Sequence, residues 1–302
     1  MSGTQMHADE VMTDPAMVGR LVGEQFPQWA DLAVVPVSSA GTDNAIYRLG
    51  DDLAVRLPRL PSAAGQLDVE YRHLPGLAPH LPLEIPAPLR LGRANDEYPF
   101  AWAVYRWLHG DDARSAPPTD LALAALDLGR FVRALRACDP ADAPVAYRAE
   151  PMDSRDKRTR ESLDTLRTID DHTDDTRGLD LDALLSIWRA ALQEPPAAPV
   201  WIHGDLTPAN LIVRDGRITA VIDFGCGGLG DPAWDLLPAW AVFGPDTRQV
   251  FRDTAGLDER AWTRARGIAT SWALIALPYY RHTNLMLAGM ARATLDEVLR
   301  DR

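Results

Sequence analysis

Lysine is nearly missing from this chain: Lys157 is the single one among 31 basic residues. Cysteine is scarce as well. Cys138 and Cys226 show no metal-ligand spacing. Two such thiols make no disulfide framework, so a reduced cytoplasm is the simplest setting. The N-terminus carries no charged-then-apolar signal pattern. The most apolar late run, residues 272–277, is far too short to span a bilayer and stops at Pro278. No membrane partner is expected. Cations are outnumbered: 31 Lys plus Arg face 43 Asp plus Glu, a formal charge of −12. That balance argues against a nucleic-acid partner held by phosphate neutralisation. It is compatible with a cationic small molecule. Nothing in the sequence speaks to oligomeric state.

What is present is ordinary for a soluble globular protein, with 46% hydrophobic and 25% charged residues in 302. That length suffices for two modest lobes and a sizeable core. The informative stretch is 200–235. An apolar run, Val200-Trp201-Ile202, leads into His203-Gly204-Asp205. Asn210 is followed by the β-type run Leu211-Ile212-Val213, then by Asp215-Gly216, a strong hairpin signal. A second β-type run, Ile218 to Ile222, ends on Asp223. Such a hairpin brings Asp205, Asn210 and Asp223 to one mouth. Phosphoryl transfer to a hydroxyl needs a carboxylate to orient the hydroxyl and accept its proton. It also needs hard oxygen ligands for Mg²⁺. One Asp five residues before an Asn, with a second Asp shortly after, supplies a base and two ligands. Taken singly, the three would be an acidic turn, an Asn cap and a solvent-facing Asp.

His203-Gly204-Asp205-x-x-x-x-Asn210, Ile222-Asp223-Phe224-Gly225 and Gly230-Asp231-Pro232-Ala233-Trp234-Asp235 together resemble the aminoglycoside phosphotransferase family. This is also called the phosphotransferase enzyme family, small-molecule relatives of the protein kinases. Gly-Asp-Pro follows Asp223 closely and no Ala-Pro-Glu appears, so the resemblance implies a small-molecule kinase rather than a protein kinase. It implies an α+β, bilobal, protein-kinase-like fold. An N-terminal nucleotide-binding lobe (1–106) would hold an antiparallel sheet and one helix. A larger, mainly helical lobe (107–302) would hold catalysis and substrate.

The resemblance assigns further roles. The small-residue turn 38–44, with Ser39, Gly41 and Thr42, would cover the nucleotide phosphates. It lacks Gly-x-Gly-x-x-Gly, and an ordinary loop is the competing reading. Arg56, in Val55-Arg56-Leu57-Pro58-Arg59, stands where protein kinases carry Lys for the phosphates. It lies on the strand face opposite Val55 and Leu57. Glu70, on the next helix, is its candidate partner. Arg106, Trp107 and Leu108 mark the hinge that would offer backbone groups to adenine. His203, Asp231 and Asp235 would support the catalytic loop structurally, one of the two aspartates capping a helix near Pro232. Tyr279, Tyr280 and His282 would line a substrate pocket or form a plain helix–helix corner. Cys226 reads as a small packing residue. The acidic loop 170–175 reads as a solvated turn.

Helices are expected at 15–25, 64–74, 121–137, 154–169, 181–193, 232–241, 246–255, 258–276 and 285–300. Strands are expected at 32–37, 46–49, 53–57, 89–91 and 98–105 besides the hairpin. The expected activity is transfer of the γ-phosphate of ATP or GTP, with Mg²⁺, to a hydroxyl of a small, cationic molecule. The resemblance points to an aminoglycoside or related antibiotic. The alternatives are a metabolic kinase for an amino sugar, amino alcohol or other natural product, such as a macrolide or cyclic peptide, and a non-catalytic nucleotide-binding protein.

Overall fold

A computed structural model describes residues 11–37, 44–169 and 176–301. Contacts divide the chain into two compact units, residues 1–79 with 84–109, and residues 80–83 with 110–302.

The first unit is a five-stranded antiparallel sheet with two helices. Helix α1 (Pro15–Gln25) begins where Asp14 accepts a hydrogen bond from the Met17 amide at 2.9 Å, with Pro15 in the first turn. Strands β1 (Val34–Pro36), β2 (Asn44–Leu49) and β3 (Leu53–Pro58) follow, then α2 (Pro61–Leu77), β4 (Pro88–Gly92) and β5 (Trp102–Arg106). The spatial order is β1-β2-β3-β5-β4. Gly50 turns β2 into β3 at φ +60°, where a side chain would be strained.

Strand alternation gives the sheet two different faces. Tyr47, Leu49, Val55, Leu57, Trp102 and Val104 pack with Met17, Val18, Leu21 and Val22 of α1. On the other face Ala54, Ala103 and Tyr105 meet Leu67 of α2. Arg56 falls on that second face, as its flanking apolar residues require.

The second unit contains β6 (Asp111–Asp112), α3 (Leu121–Arg136), α4 (Asp156–Thr168) and α5 (Leu181–Leu192). Then come β7 (Val200–Ile202), β8 (Leu211–Arg214), β9 (Arg217–Val221) and β10 (Gly228–Gly230). Helices α6 (Pro238–Ala241), α7 (Pro245–Ala255), α8 (Glu259–Tyr280) and α9 (Leu285–Arg300) complete it. The chain's short polar residues work as helix starts: Asp120, Asp180, Asp258 and Asn284 each accept from an amide three residues on. Helix α8 is the centre, with Ala265, Ile268, Ala269, Ala273 and Leu274 fully buried. The expected hairpin is present. β8 and β9 pair antiparallel with Arg214 opposite Arg217, around Asp215 (φ 53°) and Gly216 (φ 76°).

Several boundaries differ from expectation. Residues 232–241 are not one helix. They form a 3₁₀ turn, Pro232–Leu236, followed by the single turn of α6. Pro238 has no amide to donate, and Asp235 is drawn to another segment. Helix α8 runs on to Tyr280 through Pro278, so Tyr279 and Tyr280 end a helix rather than interrupt one. Residues 98–101 precede β5 instead of joining it. Tyr98 is buried there, donating its hydroxyl to the Pro58 carbonyl. Among the described residues, no helix is long and apolar enough to cross a membrane.

Candidate active site

The hairpin and the 3₁₀ turn 232–236 hold the His203-Gly204-Asp205 stretch between them. Asp235 is fully enclosed, 2% exposed. Its two oxygens accept from the His203 and Gly204 amides, each at 2.8 Å. Burial pushes its carboxyl above the usual range, opposed by the nearby His203 ring and the two amides. Gly204 sits at φ +77°, and an added Cβ would lie 3.0 Å from the Cys226 carbonyl oxygen. Only glycine takes this turn without strain.

His203 is completely buried. Its Nε2 lies 2.9 Å from the Ile222 carbonyl and its Nδ1 accepts from the Asp205 amide at 3.2 Å. A carbonyl can only accept, so Nε2 carries the proton. Both ring nitrogens are committed, which leaves His203 no capacity to act as a base. The ring also meets Phe224 edge-on at 4.6 Å.

Asp205 is three-quarters buried, with 25% of its side chain exposed. Asn210 donates through Nδ2 to the Asp205 carbonyl at 2.9 Å and to Oδ2 at 3.1 Å. That commits the Asn210 amide nitrogen and turns its oxygen the other way. The Asn210 carbonyl accepts from the Ile222 amide at 2.9 Å, so the backbone just before Asp223 is tied to Asn210. Asp223 stands in the left-handed region (φ 64°, ψ 69°) with an exposed side chain. One oxygen accepts from the Gly225 amide at 3.4 Å. A short polar side chain tolerates that backbone better than most. Asn210 and Asp223 thus offer hard oxygen donors of the kind Mg²⁺ takes. No cluster of three His, Cys, Asp or Glu side chains suited to a metal occurs among the described residues. One carboxylate and one amide suit an ion that completes its shell with phosphate and water.

Arg148 was not singled out by sequence. Its Nη2 donates to Asp205 Oδ1 at 3.0 Å. Its guanidinium lies 5.2 Å over the Trp234 ring, which also receives Arg155 at 5.0 Å. Nothing in the local pattern Ala-Tyr-Arg-Ala-Glu could have announced a contact 57 positions away. Cys226 lies nearby, its thiol pushed up to about 11 by burial, with the Arg148 charge opposing.

Asp231 is the aspartate that caps the turn near Pro232. It caps the Ala233 amide at 2.9 Å and binds Arg264 of α8 at 2.7 and 3.2 Å. It anchors the turn to α8, while Asp235 reaches the His203 and Gly204 amides.

Within the first unit, Arg56 Nη1 donates to both Glu70 oxygens at 2.7 and 2.8 Å. Tyr105 donates its hydroxyl to Glu70 at 2.9 Å. Burial, then the Glu70 charge, holds the Tyr105 hydroxyl well above its ordinary pKa. With its amide oxygen toward Arg56, Asn44 accepts at 3.0 and 3.2 Å. Arg106 ends β5, and the Trp107 amide donates to the Asp52 carbonyl at 2.8 Å, so that donor is spent. Leu108 follows in the same unit. Ser39, Gly41 and Thr42, like the acidic loop 170–175, lie outside the described residues. Tyr279 and Tyr280 pack edge-to-face at 4.7 Å at the end of α8, with Tyr279 73% exposed. His282 follows them, and none of the three joins the hydrogen bonds around Asp205.

Comparison with known proteins gives one direction. The model of the phosphotransferase enzyme family matches residues 34–268. A curated aminoglycoside 3'-phosphotransferase from Escherichia coli is 26% identical over 206 residues, covering 65% of this chain and 72% of that protein. Among solved structures, the GDP and kanamycin complex of APH(2")-IIia superposes with a TM-score of 0.71 at 19% identity, covering 94% of this chain and 99% of the other. The macrolide 2'-phosphotransferase MphH from Brachybacterium faecium gives 0.60 at 23% identity, covering 94% and 98%.

Proposed function

The chain belongs to the phosphotransferase enzyme family, and from that premise we propose that it moves the γ-phosphoryl group of ATP or GTP to a hydroxyl of an aminoglycoside or related antibiotic. The observation that carries the reading is the Asp205 carboxylate, fixed at both oxygens beside Asn210 and tied through Ile222 to Asp223. Asp205 would orient the acceptor hydroxyl and take its proton. The new bond runs from that oxygen to phosphorus. The bond to the β–γ bridging oxygen breaks, and its electron pair leaves with the nucleoside diphosphate. Asn210 Oδ1 and the Asp223 carboxylate would hold Mg²⁺, which supplies charge neutralisation to the phosphates when bound. Arg56, braced by Glu70, would face the nucleotide phosphates. A planar guanidinium binds phosphate oxygens as well as Lys does, with a fork in place of a point charge.

The acceptor class rests on the relatives: the curated one is an aminoglycoside 3'-phosphotransferase, and structural neighbours were solved with kanamycin, gentamicin and streptomycin. One observation favours a second class. A cavity of about 250 Å³ in the second unit has a nearly all-apolar wall, formed by Pro117, Leu121, Pro208, Val242, Met286 and Met290 among others. Pro208 lies inside the catalytic stretch, and such a wall suits an apolar natural product such as a macrolide. Incubation with ATP or GTP and separate aminoglycoside and macrolide panels, followed by mass analysis of the acceptor, decides between them. A phosphorylated aminoglycoside is the expected product. Phosphate on macrolides alone supports the second class, and nucleotide turnover that labels no antibiotic removes both.

A further inference from the structure

Asp205 has two side-chain partners among the described residues, and they divide its oxygens: Asn210 takes Oδ2 and Arg148 takes Oδ1. We propose that Arg148, held over the Trp234 indole, is a positioning residue that sets the direction of the Asp205 carboxylate for phosphoryl transfer.

The contact is built rather than incidental. Arg148 leaves a loop whose backbone is pinned to β10: the Ala146 amide donates to the Leu229 carbonyl at 3.0 Å, and the Leu229 amide to the Pro144 carbonyl at 2.7 Å. An added Cβ on Gly228 would lie 2.5 Å from the Pro144 oxygen, so strand and loop touch backbone to backbone. Trp234 is buried and has arginines against its ring from two points of one segment. Arg155 is itself fixed by Glu150 at 2.6 Å and stands near Ser271 at 3.3 Å. The Arg148 guanidinium carbon therefore lies over the Trp234 ring while its Nη2 hydrogen-bonds Asp205. A Lys ammonium is a compact point charge without the planar fork that meets both. Asn210 alone would hold the Asp205 carboxylate through one neutral hydrogen bond; Arg148 adds a second, charge-assisted one on the other oxygen. The residue pair Trp234–Asp235 thereby serves the catalytic stretch twice. Asp235 holds its backbone from below, and Trp234 holds the arginine that holds its side chain.

The inference rests on the reading of Asp205 as the base, and its test separates the two. Wild type, Arg148→Ala, Arg148→Lys and Asp205→Asn are compared for kcat, acceptor KM and nucleotide KM, with kanamycin as acceptor and both ATP and GTP as donors. Crystal structures of wild type and Arg148→Ala supply a readout that needs no turnover. Arg148→Ala is expected to lower kcat about 10- to 100-fold, as small misplacements of reacting groups do, with both KM values within about twofold. Arg148→Lys recovers part of kcat by keeping the charge. In the Asp205→Asn background Arg148→Ala adds little, because the two act as a unit. The crystal structure of Arg148→Ala shows the Asp205 carboxylate turned away from its wild-type direction. A KM rise with kcat unchanged overturns the proposal, since it makes Arg148 an acceptor contact. An Asp205 carboxylate that keeps its direction in the Arg148→Ala crystal also overturns it, whatever the enzyme turns over. Absence of wild-type turnover of kanamycin with either donor counts against the proposed acceptor class and leaves the crystallographic arm to decide this one.

Discussion

At the scale of single residues, the site mixes strong and costly interactions. Glu70 is 2% exposed and satisfies Arg56 and Tyr105 together. Removing one member of a buried, hydrogen-bonded ion pair leaves the other uncompensated, at a cost of about 3–5 kcal/mol. Glu70→Ala is expected to lower stability by about that much in urea denaturation and to weaken nucleotide binding. A variant with wild-type midpoint and nucleotide affinity would show that the pair does no structural work. Cys226 makes a different prediction. With its thiol pushed up to about 11, it stays protonated at neutral pH. Reactivity follows the thiolate, so iodoacetamide labelling at pH 8 should run roughly 100-fold slower than for free cysteine and rise about tenfold per pH unit until near pH 11. Labelling at the free-cysteine rate would mean the thiol is neither buried nor neutral. Residue chemistry was also the most legible level. The Asp205–Asn210 contact and the Arg56–Glu70 pair were readable because in each the partners lie within one turn or one strand–helix step. Arg148 was not, because its partner comes from a distant turn and its own surroundings carry no pattern.

At the scale of elements, what matters is which segment is tied to which. Asp235 joins the turn 232–236 to the His203 and Gly204 amides, and that tie explains why an apparently helical run, Pro-Ala-Trp-Asp-Leu-Leu-Pro, is broken: a tertiary demand on one side chain outweighed local propensity. The short pair β7–β10 was equally hidden, since Gly228-Leu229-Gly230 has no strand composition of its own. Asp235→Ala strands two buried amides, which costs about 1–3 kcal/mol each. The variant should lose stability and nearly all turnover. The pH sense of Asp235 is opposite to that of an ion-paired carboxylate. Its folded pKa is raised, so its contribution to stability is greatest below the ordinary carboxylate value of 3.8 and declines as pH rises through the folded value. Comparing wild type with Asp235→Asn across that window should show the decline in wild type alone. Packing of α5 on α8 offers an independent check. A Cβ on Gly267 would lie 2.2 Å from the Ala191 Cβ, so the helices would have to part. Gly267→Ala should therefore destabilise by about 1–3 kcal/mol, despite a helix-propensity gain of about 1 kcal/mol. An unchanged or higher melting temperature would contradict that close approach.

At the scale of the whole molecule, fold class was legible through the family resemblance carried by residues 200–235, and the run of strands followed by a run of helices agrees with it. The limits of the two units were less so. The motif pattern places a boundary after 106, whereas contacts assign residues through His109 to the first unit and 80–83 to the second. Such a boundary is set by packing, which no local signal records. Some of the acid has a structural use: Asp14, Asp120, Asp180 and Asp258 cap helices, and Asp231, Asp235 and Glu70 hold fixed partners. The account stands on Asp205, and its most direct test is the first-turnover rate of phosphate transfer from ATP or GTP to a hydroxylated antibiotic, for wild type against Asp205→Ala. A positioned base contributes about 10²- to 10⁴-fold. The account predicts a loss of that size with nucleotide affinity retained, and transfer by Asp205→Ala within tenfold of wild type would contradict it.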